Sequence, residues 1–516
     1  MRKHAEFPQA QPQDSASTGA RAHHTERTSL AVAAVAAAAL LASCAPMRPA
    51  PPGERMVDAS ALSASVVAVD WPREDWWRRY DDAQLDALVA EGLAGSPALA
   101  AAKARIARAA AAAGVARAAL LPELSGSAAI TYQRYSENYI FPPPFAGNWD
   151  TDGRLTLDFA YEIDFWNKNG AALQAALSQA QAAEADAQAA RLLLTTQIAR
   201  TYFNLQRLFA QRDVSRAAIV QREEVARITE QRFGAGLDTK VEVKQAEAAL
   251  ATVRTELAQY DDAIASTQHQ IAALIGAGPE RGTTIAAASL APVPSSQLPV
   301  AVPIDLLSRR PEIVASRWRV EAASSDIEVA RALFYPNVNL LAFVGFNSIG
   351  LSKLLESASG VAGVGPAIHL PIFEGGRLNA NLRGREADRD VAVAVYNNAV
   401  IDAVRDVADA LSAIRQLAQV AHEQAKARAA TTDAYDIAVI RYRAGLGNYL
   451  TVLTAQTQQL VQDRLDADLK ARAFELDVNL ARALGGGYAD TAPFDLSDAG
   501  SASGPTARGE ASLQPW

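Results

Sequence analysis

The chain contains one cysteine, Cys44, three methionines and six histidines in 516 residues. A single thiol cannot pair within the chain, which excludes a disulfide framework and a metal centre built on cysteines. Past residue 43 the histidines are His269, His369 and His422, none with a partner at metal-binding or catalytic spacing. No HExxH, GxSxG or phosphate-loop motif occurs, so we expect no enzyme, no cofactor and no metal site. A basic excess is also missing: the net charge of −8 argues against a nucleic-acid partner. Aromatic residues are only 7% of the chain. What is abundant is alanine, about a fifth of all residues, which favours long helices.

The apolar run at 30–41 would reach about 18 Å as a helix, too short for a hydrocarbon core of about 30 Å. With Arg21 and Arg27 upstream it reads as the central part of a signal peptide, 1–43. It ends in Leu41-Ala42-Ser43-Cys44, which resembles a bacterial lipobox. That resemblance implies cleavage before Cys44 and lipidation of its thiol, each buried acyl methylene contributing about 0.8 kcal/mol. Residues 44–70 are then a lipid anchor and extended tether, and the Gly/Ser/Pro/Asp-rich 488–516 a disordered tail.

The body is duplicated. Arg232-Phe-Gly-Ala-Gly-Leu237 recurs as Arg441-Tyr-Arg-Ala-Gly-Leu446, an offset of 209 residues. Pro97–Pro122 matches Pro311–Pro336 at an offset of 214. We expect a first repeat over 71–280, a linker at 281–303 and a second repeat over 304–487. Neither Gly nor Pro occurs from Ala171 to Phe233 or from Arg385 to Ala444, which predicts two very long helices. Returning helices follow over Thr239–Ile275 and Asn448–Leu484, after tight Ala-Gly-Leu turns. Apolar and small residues at heptad-like spacing, such as Leu173, Leu177 and Ala180, predict bundled or coiled-coil packing.

Each repeat also carries two strand-like runs, at about 124–165 and 337–373. Leu155, Leu157, Phe159, Tyr161, Ile163 and Phe165 alternate with a polar face that carries Asp158, Glu162 and Asp164. Val338, Leu340, Ala342, Val344 and Phe346 form another apolar face, as do Val364, Pro366, Ile368, Leu370 and Ile372. Runs of about ten residues suffice to cross an outer membrane when tilted. Four strands cannot close a barrel, and open edges in lipid would leave backbone groups unpaired. Three copies would supply 12 strands and a polar lumen, with Asp158, Glu162 and Asp164 beside water. A soluble sheet shows the same alternation, so a lipid-anchored periplasmic coiled-coil scaffold without a pore stays open from pattern alone.

Four stretches carry a wider resemblance: Ser308-Arg-Arg-Pro-Glu-Ile313, Pro371-Ile-Phe-Glu-Gly-Gly-Arg377, Arg441-Tyr-Arg-Ala-Gly445 and Ala483-Leu-Gly-Gly-Gly487. With the lipobox-like end and the duplicated halves, they resemble the TolC-like outer-membrane efflux protein family, in its NodT/OprM-type lipoprotein branch. The resemblance spans about Trp71 to Tyr488. It implies a mainly α homotrimer with a 12-stranded outer-membrane β-barrel, four strands per chain, on a long periplasmic α-helical barrel. It implies a passive exit duct served by a periplasmic adaptor and an inner-membrane pump, often of the resistance-nodulation-division type. A type I protein secretion exit is the alternative within the class. The turns Gly234-Ala235-Gly236-Leu237 and Arg443-Ala444-Gly445-Leu446 look like the family's adaptor-docking tips. Thr451 and Thr454 stand where the family commonly has an acidic aperture ring. Tyr442, Tyr449, Asp238 and Glu242 are then expected to narrow or charge that aperture.

Overall fold

The computed structural model describes residues 47, 53–57, 71–288 and 309–489. The expected signal peptide, Cys44, most of the linker and the tail from residue 490 lie outside the described residues.

Long helices form where the chain avoids breakers, and the duplication is metrical. In the first repeat, α1 (Ala83–Gly95) and α2 (Pro97–Ala118) precede strands β1 (Glu123–Arg134) and β2 (Trp149–Ile163). The hairpin α3 (Lys168–Gly234) and α4 (Lys240–Leu274) follows. The second repeat runs α5 (Pro311–Ala332), β3 (Asn337–Ile349), β4 (Gly360–His369), α6 (Arg377–Arg443) and α7 (Tyr449–Ala483). Both α3 and α6 have 67 residues, about 100 Å at 1.5 Å per residue, and α4 and α7 have 35 each. The long helices start earlier than the breaker rule predicts, because Gly170 and Gly384 are absorbed at a cost of only about 1 kcal/mol each.

The chain forms two compact units. One comprises the sheet with its flanks, 47, 122–168 and 329–383 among the described residues. Its order is β1-β2-β3-β4, antiparallel throughout. The register aligns all four apolar faces. Leu124, Phe159, Ala342 and Val364 lie across from one another, as do Gly126, Leu157, Val344 and Ala362. On the other face Ser125, Asp158, Phe343 and Gly363 form one row. Gly363 is needed there, since a Cβ would lie 2.7 Å from the Phe343 ring. The apolar face is uncovered: Leu124, Ile130, Val344, Val364 and Ile368 are each more than half exposed.

Two expected strand ends are corrected. β2 stops at Ile163, so Asp164 and Phe165 stand outside the ladder, in a turn where the Phe165 amide donates back to the Ile163 carbonyl. Beyond it the Trp166 ring stacks on Tyr335 at 4.5 Å and its Nε1 donates to the Pro336 carbonyl. β4 stops at His369 rather than running on to 373, because His369 already pairs with Asn337, the first residue of β3, and no partner lies beyond it.

The other unit holds 53–57, 71–121, 169–288, 309–328 and 384–489 among the described residues. Its main core packs α1 and the turn Trp76–Tyr80 against α3, α4 and α7. Leu85, Leu88, Val89, Ile198, Tyr202 and Leu205 have no solvent exposure, each worth about 1.5–3 kcal/mol of burial. Phe203 stacks on Phe474 at 4.5 Å, and the Tyr80 hydroxyl donates to the buried Asp477 carboxylate at 2.5 Å. Burial pushes the Asp477 carboxyl up, against the pull of Arg79 and Tyr80. Residues 53–57 lie against α6: the Glu54 amide donates to Asp390 and the Val57 amide to Asn397, whose own amide donates to the Arg55 carbonyl.

Candidate functional site

The ends of the two helical hairpins carry the residues that sequence reasoning singled out. Each turn closes the same way. Gly236 at φ +71° and Gly445 at φ +79° occupy the left-handed region that favours glycine. The Leu237 amide reaches back to the Arg232 carbonyl and the Gly236 amide to Phe233. In the second turn Leu446 reaches Arg441 and Gly445 reaches Tyr442. This paired closure satisfies the last carbonyls of a helix. It leaves Leu237 65% and Leu446 71% exposed, with Gly234, Ala235, Arg443 and Ala444 also at the surface.

The returning helices start on side-chain caps. Thr239 and Glu242 form a reciprocal capping box at α4, and Asn448 accepts from the Thr451 amide at α7. Hydrogen bonds from Thr239 hold the Glu242 carboxyl below the usual range. Thr451 and Thr454 are exposed, three residues apart on one face of α7.

The hairpins are tied together by a buried knot. The Arg232 guanidinium grips Asp238 with two nitrogens, at 2.9 and 3.3 Å, and donates a third bond to the Tyr442 carbonyl at 3.1 Å. It also lies over the Tyr442 ring, 4.6 Å from the centroid. The Tyr442 hydroxyl hydrogen-bonds Asp238 and, at 3.1 Å, Thr229. Burial and the Asp238 contact push the Tyr442 hydroxyl up to about 12. Burial alone would raise the Asp238 carboxyl, but the bonds from Arg232 and Tyr442 hold it below its ordinary value.

The knot takes up three of the residues expected at the aperture. Tyr442 is fully buried, Tyr449 is 2% exposed and packs on it edge-on, and the Asp238 side chain is 9% exposed. They join the two hairpins to each other. Sequence reasoning missed Arg232 and Thr229 as their partners. One signal was available: Arg232 and Arg441 are repeat mates, yet only the first has a carboxylate six residues on, where Gly447 matches Asp238.

On the sheet, Asp158 accepts from Ser127 at 2.9 Å and from Thr156 at 3.0 Å, all three on the polar face. Glu162 pairs with Lys168 at 2.5 Å. Asp164 belongs to the turn after β2. Among the described residues no group of three or more His, Cys, Asp or Glu side chains could hold a metal ion. No single helix there is long and apolar enough to cross a membrane.

A family model described as "Outer membrane efflux protein" matches residues 88–277 and 302–486. The fusaric acid resistance protein FusA of Burkholderia cepacia is 39% identical over 367 residues, 69% of this chain and 69% of its own. The multidrug resistance outer membrane protein MdtP of Shigella flexneri is 31% identical over 427 residues, 81% of this chain and 87% of its own. Among solved structures, the outer membrane protein VceC of Vibrio cholerae is 39% identical with a TM-score of 0.76, covering 80% of this chain and 99% of its own. The outer-membrane channel OprN is 28% identical with a TM-score of 0.75, covering 86% and 99%. The CmeC channel of Campylobacter jejuni, at 24% identity and a TM-score of 0.78, shares the fold, covering 88% and 97%. OprN and CmeC are described as outer-membrane channels. The chain belongs to the outer membrane efflux protein family and is an efflux exit duct of that membrane.

Proposed function

We propose that three copies of this chain close a 12-stranded barrel in the outer membrane, with the helical hairpins in the periplasm. The observation that carries this is the register: four strands align their matched apolar rows on one uncovered face, in an open sheet with β1 and β4 at its edges. Bare edges and a bare apolar face in water are both unfavourable. Edges left open in lipid cost several kcal/mol per unpaired group. Sister subunits remove both problems, and Asp158 and Glu162 then stand at the water-filled side. Cys44 carries the lipid anchor of the mature chain.

In this reading Gly234–Leu237 and Arg443–Leu446 dock a periplasmic adaptor, whose inner-membrane pump is of the resistance-nodulation-division type. Support comes from two turns closed by the same hydrogen bonds, each exposing a leucine after Ala-Gly. Thr451, Thr454 and Glu242 line the periplasmic mouth, which makes it less acidic than a ring of aspartates. Opening separates the hairpins, so the Arg232–Asp238–Tyr442 knot must break. A few net contacts of about 1.5–3 kcal/mol each, as for bonds to charged groups, are within reach of adaptor binding. The duct supplies no energy; pump turnover drives transport. The relatives' names speak of fusaric acid and of multiple drugs, and we take the cargo to be small organic molecules of that range.

The test is fractionation and electrophoresis. The protein should appear in outer-membrane fractions as a trimer that dissociates on heating, acylated at Cys44. A Cys44→Ser mature chain that is soluble and monomeric without detergent would refute it.

A further inference from the structure

We propose that a groove between α3 and α7 is a way-station for small organic anions, lined by more guanidinium than carboxylate and facing the conduit. It rests on the duct reading above. The groove measures about 630 Å³ and is bounded by Arg200, Arg207, Arg472, Arg482, Asp468 and Glu475. That is the size range of small-molecule sites.

The placement of the α3 stripe is the first ground. Ile198, Tyr202, Leu205 and Phe209 are buried against the Trp76–Tyr80 turn and α1. Leu193, Gln197, Arg200, Asn204 and Arg207 recur every three or four residues on the opposite side of the same helix and line the groove. A wall helix with one side covered by a compact cluster has its other side free to border a channel.

The charge balance is the second ground. Glu475 is shared by Arg472 at 2.6 Å and Arg200 at 3.4 Å. Asp468 accepts from Arg207 at 3.1 Å and from Gln211 at 2.5 Å. Arg207 is further held by Asn204. Arg482 has no side-chain partner among the described residues. Two carboxylates against four guanidiniums leave two positive charges, with fork-like donors of Arg200 and Arg482 still available. Such forks match a carboxylate with two parallel hydrogen bonds.

The experiment is bilayer conductance of the purified full-length protein under a potassium chloride gradient, with benzoate as the probe and benzylammonium as its cationic counterpart. Arg200→Gln/Arg482→Gln should lower the chloride-to-potassium permeability ratio about tenfold and abolish benzoate block. Glu475→Gln should move the ratio the other way, and neither variant should acquire benzylammonium block. Unchanged selectivity and block in both conducting variants would overturn the proposal. So would an arginine variant whose subunits fall apart in detergent while Glu475→Gln stays assembled, for then the guanidiniums bind a second copy of the chain. An unmodified protein that conducts no ions would remove the duct reading itself, and the groove with it.

Discussion

Tyr442 does at its hydroxyl what a whole interface does elsewhere. One oxygen touches Asp238 from the first hairpin and Thr229 from α3, while its ring carries the Arg232 cation. Tyr442→Phe keeps the ring and removes both hydrogen bonds, one of them to a charged group, a loss of about 1.5–3 kcal/mol. We expect a channel that opens more readily, read as higher open probability in bilayers without adaptor. The same knot predicts a pH response. The Asp238 carboxyl is held low in the folded chain, so its contribution is complete above the ordinary carboxylate range near pH 4 and is lost as pH falls through its lower native value. Acidification below about pH 4 should therefore mimic Tyr442→Phe, and Asp238→Asn should flatten the response. Another local contact is testable by protease. Asn397 holds both the Arg55 carbonyl and the Val57 amide, and a Cβ at Gly53 would lie 2.8 Å from Asp390. Asn397→Ala should speed tryptic cleavage after Arg55; an unchanged rate would show that the segment is held by other means.

At the scale of elements, similar helix ends have different tolerances. Gly236 closes α3 with open space around its missing Cβ, so Gly236→Ala meets only the left-handed backbone cost of about 1–2 kcal/mol. Gly485 closes α7 at φ +86°, where a Cβ would sit 1.8 Å from the Arg309 carbonyl oxygen. Gly485→Ala should lower the thermal midpoint far more than Gly236→Ala, and equal shifts would contradict this packing. Strand faces differ likewise. Leu157→Arg puts a cation on the apolar face, at about 2–4 kcal/mol near mid-membrane, and should block assembly in the outer membrane. Thr131→Arg lies on the polar face and should assemble normally, by the same heat-shift electrophoresis.

The same comparison shows what was readable in advance. Helix length was legible because breakers are scarce and their positions repeat at a fixed offset. The strand faces were legible because alternation has a period of two residues in any environment. The end of β2 was not: Asp164 and Phe165 continue the alternation, and only a stacked Trp166 and a back-turned amide reveal the stop. The knot was not legible either. Its members come from two hairpins about 200 residues apart in sequence, and no local period marks a side chain as a partner rather than a pore-liner.

For the whole molecule, the duplicated chain supplies matched halves, each with two strands and one long helical hairpin. Family membership makes it an outer-membrane efflux duct. The step that turns one open sheet into a duct is closure by sister chains. Native mass spectrometry of the protein extracted from outer membranes in mild detergent tests that step directly. The account predicts a species of three chains, whose masses include the acyl groups on Cys44. A species that remains a single chain, with β1 and β4 still free to exchange their amide protons, would contradict it.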